Sequence, residues 1–144
     1  MKEIIYIDTS ALAKWYINEK DSEKVERYIQ AHGPMDISDL TVVEMRCLLA
    51  RHRRNKRFDA RMEMRIFAAF QEDIRQRFLL CHSFPDGMAA GTLNLLSLIS
   101  ENPLRTLDAL HLTIAREIGA LFLATSDRIM AAGAKALGMS VVYF

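Results

Sequence analysis

No apolar run in this chain approaches the roughly 20 residues that a helix needs to cross a bilayer. Its start, where Lys2 and Glu3 precede a short run broken at Asp8, does not have the shape of a secretory leader, so a cytoplasmic protein is expected. Only two cysteines occur. Cys47 and Cys81 do not form a close pair, and neither stands in a Cys/His cluster of zinc-site spacing; both are expected as buried free thiols in a reducing cytosol. There are three prolines and six glycines, with no Pro/Gly-rich linker, internal repeat or low-complexity tract, so residues 1–144 are taken as one domain. Several catalytic signatures are missing as well. Neither G-x-G-x-x-G nor a Walker sequence occurs, which sets aside a glycine loop for phosphate. There is no G-x-S-x-G, and His32, His52, His82 and His111 lack an adjacent nucleophile pattern, which argues against a Ser–His–Asp hydrolase.

What is present has the composition of a folded protein, 51% apolar and 26% charged. The net charge of +1 hides an asymmetry. Residues 51–77 carry nine Lys or Arg against four Asp or Glu, a balance of +5 that leaves −4 for the remainder. A basic face beside an acidic remainder fits a polyanion partner combined with a separate acidic site, although Arg-rich helices are often only solvated surface.

Short apolar runs alternate with segments of helical period. Strands are expected at 4–7, 36–38, 78–81, 121–124 and 141–143. Between them, helices are expected over 10–17, 22–31, 40–54, 59–77, 87–100, 106–118 and 127–137. Gly33-Pro34 and Asn102-Pro103 act as stops, Thr106 as an N-cap and Gly119 as a C-cap. The long helix shows Met62, Ile66, Phe67, Phe70 and Ile74 on one stripe. Strands that are apolar throughout and separated by helices predict a parallel sheet covered on both faces, with functional groups at the carboxyl ends of the strands.

Four acids fall at those mouths. Asp8 ends the first strand, Glu44 lies in the first turns of the helix after the second, Asp108 in the first turn of its own helix, and Asp127 just after the fourth strand. Each alone could be only a helix-stabilising acid, favourable by about 0.3–1 kcal/mol. Brought together, they would repel unless a cation compensated them. Oxygen donors without a His or Cys cluster suit Mg²⁺ or Mn²⁺, and such a centre is suited to phosphodiester hydrolysis.

With these residues in place, the chain resembles the PIN-domain family, and within it the VapC-type toxins of toxin–antitoxin pairs. The resemblance runs through "YIDTSALAKWY", "LTVVEMRCLLAR", "LRTLDALHLTIA" and "ATSDRIMAAGAKALGMSVV", while residues 55–103 match only in helical character. It implies a three-layer α/β/α sandwich with a small central parallel sheet and a Mg²⁺- or Mn²⁺-dependent endoribonuclease. It carries Asp8, Glu44, Asp108 and Asp127 over as catalytic and metal-holding acids, with Thr9, Ser10 and Thr125 as the hydroxyls that orient them. A homodimer, an RNA substrate and a cognate antitoxin are implied in the same way.

Other features admit two readings. Arg51, Arg53, Arg54, Lys56 and Arg57 form an RNA-backbone surface or a solvated helix end. His111, one turn after Asp108, approaches the site or packs as an ordinary buried histidine, and Trp15 and Tyr16 stack on bases or fill the core. A non-catalytic RNA- or protein-binding module of the same fold is the main alternative. A phosphatase with an aspartate nucleophile would want a second Asp two residues on, where Ser10 stands.

Overall fold

A computed structural model describes residues 2–144. The alternation of runs becomes five strands and seven helices: β1 (Ile5–Ile7), α1 (Thr9–Tyr16), α2 (Ser22–His32), β2 (Met35–Ser38), α3 (Asp39–Arg54), α4 (Ala60–Arg75), β3 (Leu79–His82), α5 (Met88–Leu98), α6 (Thr106–Glu117), β4 (Phe122–Thr125), α7 (Arg128–Ala136) and β5 (Ser140–Tyr143). All strand pairs are parallel, in the order β3-β2-β1-β4-β5.

The two-residue period of a strand sorts side chains onto opposite faces. Ile5 and Ile7 enter a core with Leu12 of α1, Met45 and Leu49 of α3, and Phe70 of α4. Tyr6, between them, enters a second core with Leu95 of α5, Leu112 of α6 and Met130 of α7. The sheet is therefore the middle of three layers, with α1, α3 and α4 on one side and α5–α7 on the other. Gly133 lets α7 approach closely: a Cβ there would come within 2.9 Å of Leu112 Cδ1 and 3.0 Å of Leu104 Cδ2. Among the described residues no helix is long and apolar enough to cross a membrane.

Three expectations need correcting. Met62 does not join the buried stripe of α4; it is 40% exposed, and Glu63 turns inward at 4%. The acid is tolerated there because Arg53 Nε and Arg46 Nη1 of α3 donate to it at 2.6 and 3.2 Å. Thr106 is the first residue of α6, and the capping bond comes from Asp108, whose Oδ2 accepts the Arg105 N–H at 3.1 Å. Cys47 and Cys81 are both exposed free thiols. Cys47 lies on α3 one turn past Glu44, and Cys81 lies on the edge strand β3, where its thiol faces Asp39 at 3.5 Å.

Candidate active site

The sheet order reverses beside β1, so the helices after β1 and β4 leave on opposite faces and open a crevice between the two strand ends. Parallel α/β sheets place ligands at such a switch point. Asp8 stands there in an extended conformation, 3% exposed, and serves as the N-cap of α1. Its Oδ1 accepts from Ser10 Oγ at 2.7 Å and Ala11 N–H at 3.1 Å, and its Oδ2 from Thr125 Oγ1 at 2.6 Å. Burial pushes the Asp8 carboxyl above its ordinary range, against the hydrogen bonds from Thr125, Ser10 and Ala11 that favour the charged form. The same side chain thus caps α1 and lines the cleft.

The hydroxyls knit the strand ends together. Thr125 Oγ1 also accepts the Asp127 N–H at 2.9 Å, and Ser10 Oγ accepts the Ser126 N–H at 3.0 Å. Asp127 caps α7, its Oδ1 accepting from Ile129 and Met130 N–H at 2.8 and 3.2 Å. Glu44 lies on the inner side of α3, where Thr9 Oγ1 donates to its Oε1 at 2.9 Å and His111 Nε2 bonds the same oxygen. Burial pushes the Glu44 carboxyl up, but the His111 bond and charge and the Thr9 bond outweigh it and hold the group below its usual range.

All four acids line one cleft of about 700 Å³, with Thr9, Ser10, Cys47, Arg51, Arg105 and His111 also on its walls. Thr125 acts from beneath, through Asp8. Of the basic run, Arg51 reaches the cleft while Arg53 is engaged by Glu63; Arg54, Lys56 and Arg57 are exposed and do not line it. Trp15 and Tyr16 line a separate small pocket with Phe78 and Asp73, so among the described residues the His111 imidazole is the one aromatic ring on the cleft.

Arg105 is a charged cleft residue that sequence reasoning missed. Its Nε lies 3.5 Å from Asp108 Oδ2 and its Nη2 3.5 Å from Asp127 Oδ2, so one guanidinium spans acids from two elements. The signal was its place three residues before Asp108, the spacing at which the start of a helix faces its own first turn.

The acids offer only oxygen donors, the set preferred by Mg²⁺ or Mn²⁺. Among the described residues, no three His, Cys, Asp or Glu side chains are gathered tightly enough to hold an ion as they stand. The acids share one cleft, and Arg105 supplies positive charge to two of them. In donor type the four acids suit a hard divalent cation, and holding one would require them to draw closer together across the cleft.

A fold and an acidic switch-point cleft of this kind define a PIN domain, and comparison with known proteins agrees. The family model described as PIN domain matches residues 5–136. Ribonuclease VapC46 of Mycobacterium tuberculosis (strain ATCC 25618 / H37Rv) is 34% identical over 143 residues, covering 96% of this chain and 95% of that protein. Among solved structures, Mycobacterium tuberculosis VapC20, described as a sarcin–ricin loop cleaving toxin, superposes with a TM-score of 0.68 at 18% identity, covering 89% of this chain and 93% of that one. VapBC2 from Rickettsia felis, bound to a DNA fragment from its promoter, gives a TM-score of 0.69 at 11% identity and covers 98% of both chains. The chain belongs to the PIN-domain family, among its VapC-type members.

Proposed function

We propose that this chain is the toxin of a type II toxin–antitoxin pair, a Mg²⁺- or Mn²⁺-dependent endoribonuclease that hydrolyses RNA phosphodiester bonds in the cytoplasm. The observation that carries the reading is the convergence of Asp8, Glu44, Asp108 and Asp127, from four separate segments, on one cleft at the switch point. The ribonuclease name of VapC46, at 34% identity across nearly the whole chain, supports it.

Asp8, Glu44, Asp108 and Asp127 would hold the ion. When bound, the cation supplies a water of lowered pKa and compensation for charge developing on the phosphate and leaving oxygen. The protein's own part is positioning: Thr125 and Ser10 fix Asp8, Thr9 fixes Glu44, and the start of α7 fixes Asp127. Arg51, two turns and about 10 Å beyond Glu44 along α3, lines the same cleft and would meet the backbone of a single-stranded substrate. A homodimer and a cognate antitoxin belong to the same proposal. Exposed Leu93 and Leu98 on α5 are the apolar surface that such partners would cover.

The test is induced expression of wild type and Asp8→Asn in a bacterium, with growth followed and new RNA 5′ ends mapped. Growth arrest with discrete new ends, both lost in a folded Asp8→Asn protein, is expected. Equal effects of the two folded proteins would instead mark a binding module.

A further inference from the structure

His111 is more deeply placed than a cleft residue needs to be. It is 2% exposed, and both ring nitrogens are engaged: Nδ1 lies 2.7 Å from the Tyr6 hydroxyl, and Nε2 bonds Glu44 Oε1. The Tyr6 oxygen lies a further 2.9 Å from Ser38 Oγ. Thr41 Oγ1 accepts the Ser38 N–H at 3.2 Å. Tyr6, Ser38 and Thr41 are all fully buried. A polar chain thus runs from inside the α5–α7 core out to one oxygen of one cleft acid.

The chemistry of the chain has a direction. A carboxylate only accepts, so Nε2 carries a hydrogen. The bond from its other nitrogen to Tyr6 then sets the ring's orientation, as carbonyl or carboxylate partners do behind metal-bound histidines. Thr9 Oγ1 bonds Oε1 too, so both partners of Glu44 fall on the same atom, and Oε2 has no hydrogen-bond partner among the described residues. Packing alone would not call for a buried imidazole here. An apolar side chain would fill the space without the cost of desolvating two ring nitrogens.

We infer that His111 is a positioning residue, which is gripped from beneath by Tyr6, pins Glu44 through Oε1 and leaves Oε2 as the oxygen offered to a divalent cation. The inference rests on the metal-dependent reading of the cleft. It adds that the machinery extends one layer inward, to two residues that act through Glu44.

The experiment is calorimetric titration of Mn²⁺ alone into the full chain, for wild type, Tyr6→Phe, His111→Leu, His111→Gln and Tyr16→Phe. Tyr6→Phe and His111→Leu should each weaken Mn²⁺ binding about 10- to 100-fold. His111→Gln, whose amide can still donate to Oε1, should stay close to wild type. Tyr16→Phe deletes a hydroxyl bonded to Asp73 at 2.5 Å, remote from the cleft, and should leave Mn²⁺ affinity unchanged. Wild-type affinity in folded Tyr6→Phe overturns the inference even if His111→Leu fails to fold, and so does an equal loss in Tyr16→Phe. A wild type that takes up no Mn²⁺ overturns the metal reading instead. The imidazole ¹⁵N spectrum, recorded without metal, then decides the grip by itself: hydrogen on Nε2 in wild type, with its protected signal lost in Tyr6→Phe, upholds it, and a bare Nε2 in wild type overturns it.

Discussion

Thr125 Oγ1 donates to Asp8 Oδ2 at 2.6 Å across a sequence separation of 117 residues, while accepting the Asp127 N–H at 2.9 Å. One hydroxyl therefore aligns the acid that ends β1 with the acid that opens α7. Thr125→Val keeps the shape and removes the bond, leaving a buried carboxylate oxygen without its donor. A loss of about 1–3 kcal/mol is expected, read from urea unfolding, together with weaker Mn²⁺ binding. Thr125→Ser should restore most of both. A stable Thr125→Val protein with unchanged Mn²⁺ affinity would show that Ser10 and the Ala11 amide suffice to hold Asp8.

Arg105 calls for the opposite pattern. Its side chain is 74% exposed and its contacts with Asp108 and Asp127 are 3.5 Å each, so they stabilise the fold by no more than about 1 kcal/mol. The same charge competes with any cation for those two acids. Arg105→Ala should leave the melting temperature nearly unchanged and tighten Mn²⁺ binding in calorimetry. Weaker Mn²⁺ binding would mean that Arg105 organises the acids instead of competing for them.

The acids and the residues that hold them were not equally legible in the sequence. Asp8, Glu44, Asp108 and Asp127 stand directly at strand ends or in first helical turns, and strand-helix alternation shows such positions locally. The same holds for the element order, since each run carries its own period. Glu63 was hidden because the inward arc of α4 is set by two arginines of another helix, and no local period reports that. Tyr6 looked like one more apolar strand residue. Its link to His111 spans 105 residues and depends on which face of the sheet each occupies, which only the assembled layers define. The thiols failed for a related reason, because cysteine's usual burial says nothing about a cleft wall or an edge strand.

The basic run divides into residues with different surroundings. Arg51 lines the cleft, whereas Arg53 donates to Glu63 at 2.6 Å. Arg51→Ala should weaken RNA binding and reduce the salt slope of the binding constant by about 1. Arg53→Ala should instead lower the urea midpoint and leave the salt slope unchanged. Fluorescence-anisotropy titrations of a non-cleavable single-stranded RNA at several salt concentrations, run beside urea melts, separate the two. Identical slopes for Arg51→Ala and wild type would remove Arg51 from the substrate path.

The Arg46–Glu63–Arg53 clamp should also be visible in the response to acid. Burial pushes the Glu63 carboxyl up, but the hydrogen bonds and charges of Arg53 and Arg46 overcome this and hold it below the ordinary range. A group depressed in the folded state contributes stability that is fully present above its unfolded pKa, about 4.3 for Glu, and is lost as pH falls through the folded value. Wild type should therefore lose stability between pH values near 4.3 and lower ones more steeply than Glu63→Gln, which carries no titrating group at that position. Urea midpoints measured from neutral pH down into this range give both slopes. Parallel curves would mean that the α3–α4 pairing is held by Phe67, Phe70 and their apolar neighbours alone, with the clamp contributing nothing to folding.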